Sequence, residues 1–126
     1  MNAEQLAACG YKIENAQITH VDLTMEDHGC FTLCMTIEGA GFGCVYGGIC
    51  IGKGFLGAKK FEGSVKGIEY IMRIMDTVGV SRFLDLKGKY LRVATKGLGS
   101  TVKVIGNIIN DQWFDPDELF KSENEG

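Results

Sequence analysis

The chain has 126 residues, 45% of them hydrophobic, and a formal net charge of −3, which suits one domain with its own core spanning residues 1–126, ordered over about 11–121. Mild acidity argues against binding DNA or RNA polymers, which selects a basic surface. No apolar run approaches the roughly 20 residues that span a membrane, and no N-terminal segment joins basic residues, an apolar block and a cleavage site, so no secretory signal is expected.

Residues 1–10 fit either a short helix or a frayed end. From Ile18 the pattern has period two: Val21, Leu23 and Met25 point one way and His20, Asp22 and Thr24 the other. Glu26-Asp-His-Gly29 supplies turn chemistry, with Gly29 free to take positive φ. Phe31, Leu33, Met35 and Ile37 resume the alternation opposite Thr32, Cys34 and Thr36, which completes a β-hairpin with one core face.

Eight glycines fall between positions 39 and 57. Such density marks bulges, bends or close backbone approach. A third strand is expected over residues 43–51, then a loop over 53–63 carrying Lys53, Lys59 and Lys60. Gly47-Gly-Ile-Cys-Ile-Gly-Lys53 matches a P-loop as far as its lysine. Gly54 then stands where magnesium needs Ser or Thr, and no helix begins there. A phosphate loop is not expected.

Residues 64–78 read as a helix. Val65, Ile68, Met72 and Met75 recur at helical spacing beside Ile71 and Val78, and Lys66, Glu69, Arg73 and Asp76 form the wet side. Ser64 suits the N-cap and Gly79 the left-handed position that ends the helix. A short second helix is expected over 82–86, capped by Ser81. Strands follow over 90–95 and 101–109, joined by Lys96-Gly-Leu-Gly-Ser100. Asp115 caps a terminal helix with Pro116 at its first position, and 122–126 read as a solvated tail. The order gives an α+β fold: an antiparallel sheet packed against one long helix, with a short second helix and a short C-terminal helix.

Five cysteines lack paired metal spacing and read as reduced, small apolar residues of a cytosolic protein. Glu26, Asp27 and His28 hint at acid–base or metal chemistry, and His28 with Cys30 at a nucleophilic pair, but three adjacent polar residues in a turn rarely converge and no orienting group is evident. No catalytic residue and no metal ligand is assigned. The loop at Lys96, Gly99, Ser100 and Thr101 has glycines that let successive N–H groups turn toward an anion. Its plain alternative is a hairpin loop that needs glycine. Arg92 and Lys103 alternate with apolar residues on paired strands, which places them on a shared face away from the main core, with Asn107 in the same period as Lys103. Phe83 and Tyr90 offer aromatic planes nearby. Guanidinium and ammonium groups match phosphate and a ring stacks on a base; the plain alternative is a solvent face.

Glu26-Asp-His-Gly29, Gly41-Phe-Gly43, Gly67-Ile-Glu-Tyr-Ile-Met-Arg-Ile-Met-Asp-Thr-Val-Gly-Val80, Leu86-Lys-Gly-Lys-Tyr-Leu-Arg-Val93 and Ile105-Gly-Asn-Ile-Ile-Asn-Asp-Gln-Trp-Phe114, in this order and spacing, resemble the first-described Thoeris anti-defence protein family of phages and prophages. The resemblance covers about residues 18–114. It implies a non-enzymatic sponge, without cofactor, acting in the host cytoplasm. Such proteins sequester the cyclic ADP-ribose-type signal of bacterial TIR-domain enzymes, specifically glycocyclic ADP-ribose, and some also bind cyclic trinucleotides. It also implies a homo-oligomer, a dimer or trimer of dimers, with pockets at subunit contacts. In such a pocket Phe83 or Tyr90 would stack, Arg92, Lys103 or the 97–101 backbone would hold phosphates, and Asn107 would meet base or ribose. The rival readings are an enzyme cleaving a cyclic nucleotide or phosphate ester, and a structural phage assembly or adaptor protein.

Overall fold

A computed structural model describes residues 1–97 and 101–125. Helix α1 (Ala3–Ala8) precedes strands β1 (Lys12–Asp27), β2 (Cys30–Gly39), β3 (Phe42–Lys53) and β4 (Glu62–Gly63). Helix α2 (Val65–Val78) and a 3₁₀ turn (Phe83–Leu86) come next, then β5 (Tyr90–Thr95), β6 (Val104–Asn107), β7 (Trp113–Phe114) and α3 (Pro116–Glu125). The strands form one antiparallel sheet in the order β4-β3-β2-β1-β5-β6-β7. Its helices are short: α2, expected as one long helix, has 14 residues. Among the described residues no helix is long and apolar enough to cross a membrane.

The first hairpin turns in two residues. Asp27 pairs with Cys30, and His28 and Gly29 between them both have positive φ, 52° and 81°. That is the backbone of a type I′ turn, whose twist matches the strands it joins. β1 is long enough to serve two partners. Its first half pairs with β5 and its second half with β2, so β1 lies at the centre of the sheet.

The sheet curls so that α2 reaches β3 on one side and β6 and β7 on the other. Ser64 caps α2, its Oγ accepting from the Gly67 N–H at 3.0 Å, and Gly79 ends it at φ 95°. The buried face of α2 is a correction. The expected stripe was Val65, Ile68, Met72 and Met75; the core instead receives Gly67, Tyr70, Ile74, Thr77 and Val78. Val65 is 86% exposed, Ile68 59% and Met72 63%. The apolar arc of the helix is wider than the sheet covers, and Gly67 decides which half is covered. A Cβ there would lie 2.6 Å from Ile51 on β3, so only this side of the helix can sit that close to the strand.

Between sheet and helix, Tyr70 packs against Phe114 and Phe120 at ring-centroid distances of 6.0 and 5.7 Å. Around them lie Ile18, Leu33, Met35, Ile37, Leu91, Val93 and Ile105, all fully enclosed. A second, smaller cluster lies on the other face of the sheet, where Leu6 of α1 meets Ala94 and Val104 beside Tyr11, Ile13 and Trp113. The N-terminus is therefore a docked helix, capped by Asn2 through a capping box with Gln5.

Other boundaries differ from expectation. The segment after α2 is a 3₁₀ turn whose cap position is Arg82, not Ser81, with no side-chain cap bond. β1 starts at Lys12 rather than near Ile18, and β6 stops at Asn107. The C-terminal helix starts as expected, with Asp115 Oδ1 accepting from the Asp117 N–H at 3.0 Å.

Candidate functional site

The register of β1 with β5 pairs Gln17 with Tyr90, Asn15 with Arg92 and Ile13 with Ala94. Paired residues share a face, and successive side chains alternate between faces. Ala94 and Ile13 lie in the α1 cluster, so this whole set points to the outer face, away from α2. Tyr90 and Arg92 are two positions apart on one strand, hence about 7 Å from each other. Beside them on β1 stand the amides of Gln17 and Asn15. An aromatic plane, a guanidinium and two amides thus lie together on one open surface next to α1. Tyr90 is 57% exposed and Arg92 half-buried.

Arg92 is fixed in place. Its Nε donates to the Asn107 carbonyl and its Nη2 to the Asn110 carbonyl, both at 2.8 Å. Its guanidinium stacks over Trp113, 4.6 Å from the ring centroid. These two bonds use two of five N–H donors and leave three for a ligand. Trp113 is anchored in turn, its indole N–H donating to Asp111 Oδ1 at 2.6 Å. The same oxygen accepts from the Ala3 N–H at 2.8 Å, which ties down the start of α1. The Trp113 bond first, then the Ala3 bond, hold the Asp111 carboxyl below its ordinary 3.8, with the Arg92 charge adding to the effect.

The expected companions of Arg92 lie elsewhere. Asn107 pairs with Leu91 and Arg92 with Gly106, so Asn107 points to the core face and not to that of Arg92. Asn107 is buried. Its Nδ2 donates to the carbonyls of Thr77 and Val78 at the end of α2, at 3.0 and 3.4 Å. Its Oδ1 accepts from the N–H groups of Ile109 and Asn110. Lys103 also departs from the expected shared face with Arg92: its Nζ pairs with Asp117 of α3 at 3.1 Å. Phe83 is half-buried and packs against the main core. Lys96 lies over the Tyr11 ring at 4.8 Å, at the far end of the outer face. Thr101 is exposed. Gly99 and Ser100 lie outside the described residues. Of the expected set, Tyr90, Arg92 and Lys96 therefore share a face. The register adds Asn15 and Gln17, which the sequence reading missed. Their signal was present, because Ala16 and Ile18 extend the period-two pattern back toward the N-terminus.

Further clefts lie among the described residues. One of about 530 Å³ is lined by His28, Cys30, Lys53, Phe55, Lys60 and Glu62. Lys60 there pairs with Glu62 at 3.5 Å across exposed side chains, which is worth little in water. Another, of about 340 Å³, lies between α2 and the start of α3, lined by Lys66, Glu69, Arg73, Trp113 and Asp115. Among the described residues no three His, Cys, Asp or Glu side chains are grouped to hold a metal ion.

No family model, no curated protein and no solved structure matches this chain at a significant level.

Proposed function

We propose that the chain is a non-enzymatic sponge that captures a cyclic ADP-ribose-type signal in the cytoplasm of an infected host. The observation that carries this reading is the shared outer face of Tyr90 and Arg92, flanked by the amides of Asn15 and Gln17. A ligand of this class presents an adenine, two riboses and a diphosphate. A ring that stacks, a fork that grips phosphate and amides that take ribose hydroxyls are the partners it requires. The order of segments that resembles the Thoeris anti-defence family points the same way. Glycocyclic ADP-ribose is the first ligand to offer, and cyclic trinucleotides the second.

A flat face cannot enclose a ligand alone. Sequestration at nanomolar concentration corresponds to about −12 kcal/mol. Enclosing the ligand against a second copy of the chain supplies the missing wall, which makes the sponge a homo-oligomer.

The test is equilibrium binding of TIR-generated glycocyclic ADP-ribose to the wild type and to Tyr90→Ala. The side chain is exposed, so the fold should survive. Loss of one stacking partner, about 1–3 kcal/mol, predicts affinity lower by about 5- to 150-fold. Equal affinity in the two proteins would remove Tyr90 from the capture surface.

A further inference from the structure

The segment over 53–61, between β3 and β4, inverts the usual chemistry of a turn. The Ala58 N–H donates to the Phe55 carbonyl at 2.9 Å and Gly57 has φ 83°, which makes a type II turn with Leu56 at its corner. Such corners ordinarily carry glycine, proline or short polar residues. Here Leu56 is 86% exposed, and Phe55 and Phe61 are each 60% exposed. The turn is tied to the rest of the fold. The Gly54 N–H donates to the Gly29 carbonyl of the first hairpin at 2.8 Å. The Phe61 ring lies over Gly54, where a Cβ would stand 2.4 Å from it. A held backbone thus keeps three large apolar side chains together in water, which marks a surface that something covers.

The charges around the turn indicate what covers it. Residues 53–61 carry three lysines and no acidic residue, in a chain of net charge −3. Lys53, Lys59 and Lys60 are all exposed. Lys53 and Lys60 line one cleft with Phe55, which sets ammonium groups beside the apolar tip. Lys60 reaches Glu62 at 3.5 Å across exposed side chains, a pairing that is weak in water. Among the described residues no acidic side chain pairs with Lys53 or Lys59. A convex apolar tip with a cationic collar is complementary to an anionic bilayer. The fluid acyl boundary takes Phe55 and Leu56 without a shaped pocket, and the lysines stand level with the negative headgroups. A second copy of the turn would bring lysine to lysine across a two-fold axis. A nucleic-acid strand would meet the lysines but leave Leu56 in water.

We infer that the segment over 53–61 is a peripheral membrane contact. It lays Phe55 and Leu56 into the headgroup and acyl boundary of an anionic bilayer, with Lys53, Lys59 and Lys60 against the headgroups. No spanning segment is needed. The contact goes beyond nucleotide capture and does not rest on it, because none of its residues belongs to the face of Tyr90 and Arg92.

Sedimentation with vesicles tests it. The full chain is spun with vesicles of phosphatidylglycerol and phosphatidylcholine in equal parts, and with vesicles of phosphatidylcholine alone. The wild type should pellet with the first and stay in solution with the second. Binding should weaken at about 1 M salt, where the Debye length falls to about 3 Å. Leu56→Ser should lower the partition by about tenfold or more, the loss of one buried leucine. Its circular dichroism should be unchanged, because the side chain is outside the core. Lys59→Gln removes one charge at the surface and should cost about fivefold. A wild type that stays in solution with both vesicles, or pellets equally with both, would overturn the contact. Pelleting that Leu56→Ser leaves unaltered would overturn the inserted tip. A failed capture assay would leave these partitions unchanged, so the two proposals fail independently.

Discussion

The main-chain carbonyl of Asn107 accepts a hydrogen bond from Arg92 Nε at 2.8 Å, while the two side chains leave the sheet on opposite faces. One residue therefore stands at the join between two functions. Its carbonyl positions a guanidinium on the outer surface. Its amide, on the core side, clamps the end of α2 to the turn that leads into β7.

That arrangement separates two substitutions that a surface reading would treat alike. Asn107→Ala should destabilise the fold by about 2–4 kcal/mol, because it leaves buried carbonyls and N–H groups without partners. Urea unfolding measures the loss. An unchanged midpoint would mean that the four side-chain bonds of Asn107 contribute nothing net.

Arg92→Lys keeps the charge but loses the fork. A lysine ammonium cannot hold the carbonyls of Asn107 and Asn110 in the planar geometry of a guanidinium and still face a ligand. A charge-assisted hydrogen bond is worth about 1.5–3 kcal/mol, so capture should weaken about tenfold or more. Titration calorimetry with glycocyclic ADP-ribose reads this directly, and full affinity in the lysine variant would show that Arg92 acts only as a charge.

Gly67→Ala sets helix propensity against space. Alanine gains at most about 1 kcal/mol in a helix. The added Cβ would meet the Ile51 side chain and carbonyl at 2.6 and 2.7 Å, and overpacking of this kind costs about 1–3 kcal/mol. A lower thermal midpoint is expected; a raised one would mean that α2 can ride up off β3 freely.

How much of this was legible beforehand differs from place to place. The caps of α2 could be read because each rests on one local residue, Ser64 or Gly79. The turn at His28 and Gly29 could be read for the same reason. The buried side of α2 could not, because apolar residues run around more than half of it and the choice depends on a contact with distant Ile51. Nor could the faces of Arg92 and Asn107. Period two placed each on its own strand, but only the pairing of Leu91 with Asn107 fixed the register between the strands. α1 stayed undecided because six residues carry too little helical signal of their own; Leu6 and the bond to Asp111 hold it.

The Asp111 contacts give the fold an acid-sensitive latch on α1. A carboxyl held below its ordinary value is bound to its partners when ionised. Its contribution is present above the unfolded value and is lost as pH falls through the lower folded one. Trp113 is the sole tryptophan, so its fluorescence reports the latch. Emission should be steady at neutral pH and change only below about pH 4. In Asp111→Ala it should be displaced already at neutral pH, with no acid step. An acid step that persists in the variant would assign it to another carboxyl.

The most direct measurement of the central claim is depletion followed by release. The purified protein is incubated with TIR-generated glycocyclic ADP-ribose, the free ligand is separated by filtration, and the protein is then denatured and the solution analysed by chromatography. Capture by a sponge predicts that the ligand disappears from the filtrate and returns chemically unchanged after denaturation. Return as new products would make the protein an enzyme and direct attention to the cleft at His28 and Lys53. No depletion at all would contradict capture and leave an assembly role as the better account.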